Sequence, residues 1–286
     1  MSSADQLLSQ ELVSWPVGSA GVTLLDRSGP VGSAGGSGPY PWASVTKLLT
    51  ALVALDAVQT GAADLDEPVG PPGATLRHLL AHASGVARDS DTVKAPPGQR
   101  RLYSNRGFEL IAEHLESRVG LPFAEQLQHR LLRPLRMTGT RLEGSPAHGA
   151  SGPVTDLALL AHELLQPTWF PVELVATATS PAFEGLAGLL PGFGRQAPND
   201  WGLGFELRGH KSPHWMSPDN SPTAFGHFGQ SGAFLWVDAE AGLALVSAGD
   251  TAFGPWASTW WPRLSTRVLA RSRQGGHPPR HDRQLS

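Results

Sequence analysis

The spacing of apolar residues changes along the chain, and each change predicts a different element. Residues 1–15 (MSSADQLLSQELVSW) carry a short amphipathic helical pattern. Gly21–Asp26 is apolar and β-branched, which predicts a strand, and Arg27-Ser-Gly-Pro30 follows as a turn. Val31–Tyr40, rich in Gly and Ser, reads as a second strand and a loop. From Ser44 to Val58 the helical periodicity is strongest, with Val45, Leu48, Leu49, Leu52, Val53 and Leu55 leaving almost no polar face. A helix apolar nearly all round is a buried one. Gly61 is placed to close it as a left-handed cap. Asp64–Gly73 reads as a loop. Further helices are predicted over Leu76–Ala83, Arg106–Val119 (closed by Gly120), Leu121–Leu132 and Val154–Leu165, the last capped by Ser151 or Thr155. The last third turns to strand patterning at Phe205–Arg208, Gly232–Asp238 and Gly242–Ala248, with Asp238–Gly242 as a hairpin turn. A helix from Pro255 or Trp256 to Leu269 closes the order, and the polar stretch 271–286 is expected to be a disordered tail.

Strands at both ends and helices between them imply a sheet closed by segments far apart in sequence. The expectation is one α+β domain over residues 1–270. Its antiparallel sheet is flanked by helices, and an all-helical subdomain is inserted over about residues 60–200.

Composition narrows what such a domain does. The 286 residues hold 22 Lys+Arg against 25 Asp+Glu and no Cys. A net charge of −3 argues against binding nucleic acid through phosphate contacts. Without cysteine there is no disulfide framework, thiolate metal site or cysteine nucleophile. Gly and Pro together number 58, which predicts many turns and long ordered loops. No apolar run is long enough to span a bilayer, and the first residues lack the pattern of an export signal, so the expected location is cytoplasmic.

Three short motifs carry candidate chemistry. Ser44-Val-Thr-Lys47 opens the buried helix and puts Lys47 one turn from Ser44. A lysine amine that loses solvation loses basicity and becomes able to take a proton from a hydroxyl. The structural alternative is a helix-capping serine beside a lysine whose amine reaches solvent. Tyr103-Ser-Asn105 precedes a helix; the phenol could act as phenolate or as a neutral proton carrier, and the amide offers a donor and an acceptor. The alternative there is a turn asparagine beside a core tyrosine. Gly226-His-Phe-Gly-Gln-Ser-Gly232 lets backbone N–H groups approach a ligand, or else is merely a glycine-rich turn.

In this order, Ser-x-x-Lys, Tyr-x-Asn and His-x-Gly resemble the serine β-lactamase and penicillin-binding-protein superfamily, on its class C β-lactamase, DD-peptidase and esterase branch. Leu76–Val86, Pro97–Asn105, Pro134–Thr140, Trp201–Gly204 and Asp238–Val246 extend the resemblance over roughly residues 20–270. The resemblance implies a β-lactamase/transpeptidase-like fold and a serine hydrolase that forms an acyl-enzyme. It makes Ser44 the nucleophile, with Lys47 and Tyr103 sharing the base work. Asn105 would hold the acyl-side amide or ester, and Phe228 and Gly229 would complete the substrate site. The amides of Ser44 and Gln230 would form the oxyanion hole. His227, counted with the catalytic residues because it can bond the nucleophile network or a substrate carboxylate, stands where the family often has Lys, which with the bulk of Phe228 turns the expectation from β-lactams toward small esters. β-lactamase, D-Ala-D-Ala carboxypeptidase, D-aminopeptidase and an inactive binding scaffold are the alternatives. The partners implied are small-molecule substrates, with no cofactor, metal, nucleic acid or membrane span.

Other features are read more plainly. His78 and His82 have a spacing that could place both on one helical face toward a metal, though the superfamily segment also accounts for them. Asp64, Asp66 and Glu67 read as a solvated acidic turn. Trp256, Trp260 and Trp261 are expected to pack a helix on the sheet. Trp169, Phe170, Phe183, Phe193, Trp201, Trp215 and Phe228 are candidates for an apolar acyl pocket.

Overall fold

A computed structural model describes residues 2–275. Its centre is a six-stranded antiparallel sheet built from both ends of the chain. The strands are β1 (Ala20–Asp26), β2 (Gly29–Gly35), β8 (Glu206–Leu207), β9 (Phe225–Phe228), β10 (Phe234–Asp238) and β11 (Leu243–Gly249). Their order is β2-β1-β11-β10-β9-β8, so the N-terminal hairpin pairs with the last strand. Side chains alternate across β10. Phe234 and Trp236 enter one core with α1 (Ser3–Val13) and α8 (Pro255–Gly275), while Leu235 and Val237 enter the other with α2 (Thr46–Gln59) and α6 (Val154–Leu165). Both faces are covered, which is why β10 and β11 are buried throughout.

The stretch between β2 and β8 holds α2, α3 (Leu76–Leu80), α4 (Asn105–Val119), α5 (Phe123–Leu127) with a π-helical turn at Gln128–Leu132, α6 and α7 (Val172–Ala178). It is not purely helical. A small sheet joins β3 (Tyr40–Pro41), β5 (Ala150–Gly152) and β4 (Arg141–Leu142), and a hairpin joins β6 (Gly188–Leu190) to β7 (Gly194–Gln196). α6 packs on the sheet rather than in a separate subdomain.

Some local expectations are corrected. The predicted Ser44–Val58 helix begins as a 3-10 turn at Ala43–Val45 before α2 proper. The expected helix over Leu76–Ala83 stops at Leu80, because His82 takes φ +54°. Ser151 and Thr155 do not cap α6: Ser151 lies in β5, Thr155 lies inside the helix, and Pro153 occupies the cap. α8 runs to Gly275, into the stretch expected as a disordered tail, and residues 276–286 lie outside the described residues. No helix among the described residues is long and apolar enough to cross a membrane.

Candidate active site

Ser44 sits on an anchored elbow. Trp42 donates its backbone N–H to Ala150 O and its indole N–H to Gly152 O, and the Ala150 N–H donates to Thr46 Oγ1. These bonds tie both sides of the serine to β5. Ala43, just before it, has φ +45°, a conformation that costs a non-glycine residue energy and persists only where its surroundings impose it. The turn after β9 closes on this elbow. A Cβ at Gly229 would lie 2.2 Å from Trp42 O and 3.2 Å from the Ser44 nitrogen, so only glycine permits the approach. Among the described residues, the backbone N–H groups of Ser44 and Gln230 donate to no carbonyl.

Lys47, fully buried on the first turn of α2, puts Nζ 3.4 Å from Ser44 Oγ, 2.7 Å from Asn105 Oδ1 and 2.9 Å from Ala147 O. The amide orientation of Asn105 is fixed, because its Nδ2 donates at 2.7 Å to the Asp89 carboxylate, which only accepts. Asn105 Oδ1 and Ala147 O therefore both accept from Lys47. Nζ thus meets two pure acceptors and one hydroxyl: a neutral amine would spend its two hydrogens on the acceptors and turn its lone pair to Ser44 Oγ, whereas an ammonium would donate to all three. Burial lowers the Lys47 pKa well below its ordinary value, and the Arg88 charge lowers it further, against Asp89 and Glu109.

Tyr103 lies beside this amine, with Lys47 Nζ 4.8 Å from its ring centroid. Burial raises the phenol pKa, with the Ser44 side chain and the Arg88 charge working against it, so the ring stays neutral. Of the two protonation states left open by the sequence, the environment favours the phenol. His82 holds the tyrosine in place. Its ring packs at a tilt against Tyr103, centroids 4.6 Å apart, and meets Trp201 edge-on at 4.7 Å, and its Nδ1 accepts the Ser104 N–H. His78 turns elsewhere, bonding Thr75 and packing against Phe183. The two histidines do not share a face, and no metal-binding cluster of His, Asp and Glu occurs among the described residues.

On β9, His227 Nδ1 lies 2.7 Å from Phe228 O. A carbonyl only accepts, so Nδ1 carries the hydrogen. Burial is the main cause that pushes the ring pKa down to about 3. His227 is thus a neutral imidazole whose Nε2 presents a lone pair, and among the described residues that buried atom has no partner.

Ser44, Tyr103, His227, Phe228 and Gln230 line one cavity of about 30 Å³ together with Arg88, Leu190, Pro191, Trp201 and Glu206. Asn105, expected to hold substrate, does not line this cavity; its Oδ1 accepts from Lys47 and its Nδ2 donates to Asp89, which leaves one N–H of the amide uncommitted. Of the aromatic residues expected around an acyl group, only Trp201 and Phe228 reach the cavity. Trp169 is exposed, and Phe170, Phe193 and Trp215 are core. The Phe228 ring itself packs among Phe253, Phe193, Trp215 and Trp261. Arg88, Asp89 and Glu206 carry no motif signal and were not singled out by sequence. His82 was, but for a different chemistry.

Behind the cavity, Glu206 accepts from Lys211 Nζ and His214 Nε2, each at 2.8 Å, and from the Trp215 indole N–H. Burial alone would raise its pKa, but Lys211 and His214 outweigh that and hold it well below the usual carboxylate range.

The Beta-lactamase family profile matches residues 16–251. A β-lactamase structure from Mycobacterium bovis is 47% identical with a TM-score of 0.90, covering 92% of this chain and 98% of that one. Simvastatin synthase from Aspergillus terreus superposes with a TM-score of 0.77 at 17% identity, covering 95% of this chain and 98% of that one, a likeness of fold alone. The D-alanyl-D-alanine-carboxypeptidase/endopeptidase AmpH of Escherichia coli strain K12 is 28% identical over 141 residues. That match covers only 36% of this chain and 37% of AmpH. With an antiparallel sheet between helical layers and a family match over most of its length, the chain belongs to the Beta-lactamase family.

Proposed function

We propose that the protein hydrolyses small esters or amides through an acyl-enzyme on Ser44. The observation that carries this reading is the buried Lys47 amine, 3.4 Å from Ser44 Oγ beside two pure acceptors and with its pKa lowered by burial, so that in the neutral state its lone pair is left for Ser44 Oγ. In acylation the Ser44 proton passes to Lys47 Nζ, Oγ bonds the acyl carbon, and the N–H groups of Ser44 and Gln230 hold the oxyanion. When the intermediate collapses, the bond to the leaving group breaks. Tyr103 gives its phenolic proton to the departing atom and regains one from the Lys47 ammonium. In deacylation a water gives a proton to Lys47 and its oxygen attacks the acyl carbon. The bond to Oγ then breaks, and Oγ recovers the proton from Lys47.

The His227 tautomer bears on the substrate. A neutral ring offering a lone pair accepts hydrogen bonds and repels a carboxylate, so this position favours a substrate N–H or O–H over an anion. That supports esters or neutral amides over β-lactams at this wall. The 47% identity to the M. bovis β-lactamase supports the alternative, β-lactam hydrolysis.

The test is turnover of p-nitrophenyl butyrate beside a chromogenic cephalosporin, with Ser44→Ala as the control. Ester turnover that Ser44→Ala lowers by about 10³-fold or more supports the reading. Undiminished turnover in Ser44→Ala overturns it. Faster cephalosporin than ester turnover favours the β-lactam alternative.

A further inference from the structure

The cavity at Ser44, about 30 Å³, has room for the reacting bond and little else. Most of a substrate must therefore lie outside it. Next to it opens a groove of about 740 Å³, a size ordinary for a small-molecule site, which shares Arg88, Tyr103 and Pro191 with the cavity. Its walls are the loop 86–102 and the β6–β7 hairpin. They are stitched together by a bridge between Arg101 and Gly188 and by the Arg101 N–H donating to Ala187 O.

The groove's charge is one-sided. Arg88, Lys94, Arg100, Arg101 and Arg195 line it, and no Asp or Glu does. Arg101 is spoken for: its buried guanidinium donates to the carbonyls of Asn199, Ala81, Ala182 and Phe183. Arg88 has one carboxylate near it, Asp89 at 3.5 Å, whose other oxygen already accepts from Asn105, and its side chain stays 63% exposed. Lys94, Arg100 and Arg195 are exposed and, among the described residues, have neither an ion pair nor a side-chain hydrogen bond. Several like charges around one concavity, in a chain whose net charge is negative, repel one another unless an anion joins them.

Direction follows from Tyr103. In the reaction proposed above, its phenol protonates the leaving atom, so the leaving half departs on the Tyr103 side, toward the groove. Resting on that reading, we infer that the groove is a subsite for an anionic group, carboxylate or phosphate, on the alcohol or amine half of the substrate, held by Arg88, Lys94, Arg100 and Arg195. The neutral His227 wall and this cationic groove then sort the two halves of the substrate by charge.

The test uses butyrate esters that differ in the alcohol half: 4-hydroxybenzamide (neutral), 4-hydroxybenzoate (carboxylate) and 4-hydroxyphenyl phosphate. The readout is the ratio of kcat/KM for each anionic ester to that for the neutral one. Comparison with Lys94→Gln/Arg100→Gln/Arg195→Gln cancels the differing leaving-group reactivity. The wild-type ratio is expected to exceed the variant ratio by about tenfold, and added salt should narrow the gap. Whichever anion shows the larger ratio identifies the source of the charge. Equal ratios in the two proteins overturn the inference. So does a charge preference seen only when the carboxylate is on the acyl half, as in mono-p-nitrophenyl glutarate. Titration of Ser44→Ala with the 4-hydroxybenzoate ester separates this from the chemistry. Binding that the triple substitution abolishes supports the groove even if Ser44 proves not to be the nucleophile, and binding unaffected by the substitution removes it.

Discussion

Lys47 and Lys211 are both buried, both lie near the site, and both have their basicity lowered by desolvation. What they touch separates them. Lys211 donates to three pure acceptors, Asp200 O, Leu207 O and Glu206 Oε1. Three acceptors require three hydrogens, and one of them is a carboxylate, so this amine is an ammonium neutralised in place. Lys47 meets two pure acceptors and one hydroxyl, with no carboxylate in hydrogen-bond reach. Two acceptors require only two hydrogens, so this amine can shed its third proton and keep both bonds, as the base role proposed for it needs. One buried lysine thus fastens the Glu206 cluster behind the cavity, and the other keeps a contact to the Ser44 hydroxyl. Burial is common to both; the count and kind of acceptors decide the outcome.

Substituting Lys47 gives the largest expected effect on activity. Lys47→Met should lower kcat/KM for an ester by about 10³–10⁴-fold, while loss of its two hydrogen bonds costs about 1–3 kcal/mol of stability. Steady-state kinetics beside thermal unfolding checks this; a variant that keeps a tenth of its activity would remove Lys47 from the base role. For the other lysine the effect moves to stability. Glu206→Gln leaves the Lys211 ammonium buried without its counter-charge and should cost about 3–5 kcal/mol in denaturant unfolding. Adding Lys211→Met to Glu206→Gln should recover part of that loss, and a purely additive double variant would show that the two charges are not coupled.

The smallest effect sharpens the comparison most. If Lys47 must be neutral to act, kcat/KM for a neutral ester rises with pH through its depressed pKa, well below the ordinary 10.5. The Arg88 charge contributes to that depression, so Arg88→Gln should move this acid limb to higher pH. An unmoved or lowered limb would mean that the limb belongs to another group. His227 gives a check on stability. Its folded-state value of about 3 lies below the ordinary 6.5, so between them the unfolded chain binds more protons. Stability should fall as pH drops from about 6.5 toward 3, and His227→Gln should flatten that part of the acid-unfolding curve.

Much of this was legible beforehand, and the exceptions have physical causes. α2, α4 and β1 were readable because their apolar spacing is local and their ends carry Gly61, Gly120 and the Arg27–Pro30 turn. β6, β7 and α7 were not, because short elements with exposed residues such as Leu189 and Val172 leave no periodic signal. The end of α3 was missed because His82 leaves the helix at a positive φ that its side chain does not encode. Ser44, Lys47, Tyr103 and His227 were singled out by motif, and the structure gathers them at one cavity and its rear wall. What the motif does not encode is that Asn105 also ties Lys47 to Asp89, a residue without any motif.

By itself the sequence determined the family, the buried helix, the Ser-x-x-Lys pair one turn apart and the absence of cysteine chemistry. Each of these depends on residue type or on neighbours within a turn or two. Only the tertiary structure decided the surroundings that lower the basicity of Lys47, the tautomer of His227 and the existence of a cationic groove. Those depend on desolvation and on acceptors brought from Asn105 and Ala147, 58 and 100 residues along the chain from Lys47, and on two walls that meet only when Arg101 bridges Gly188.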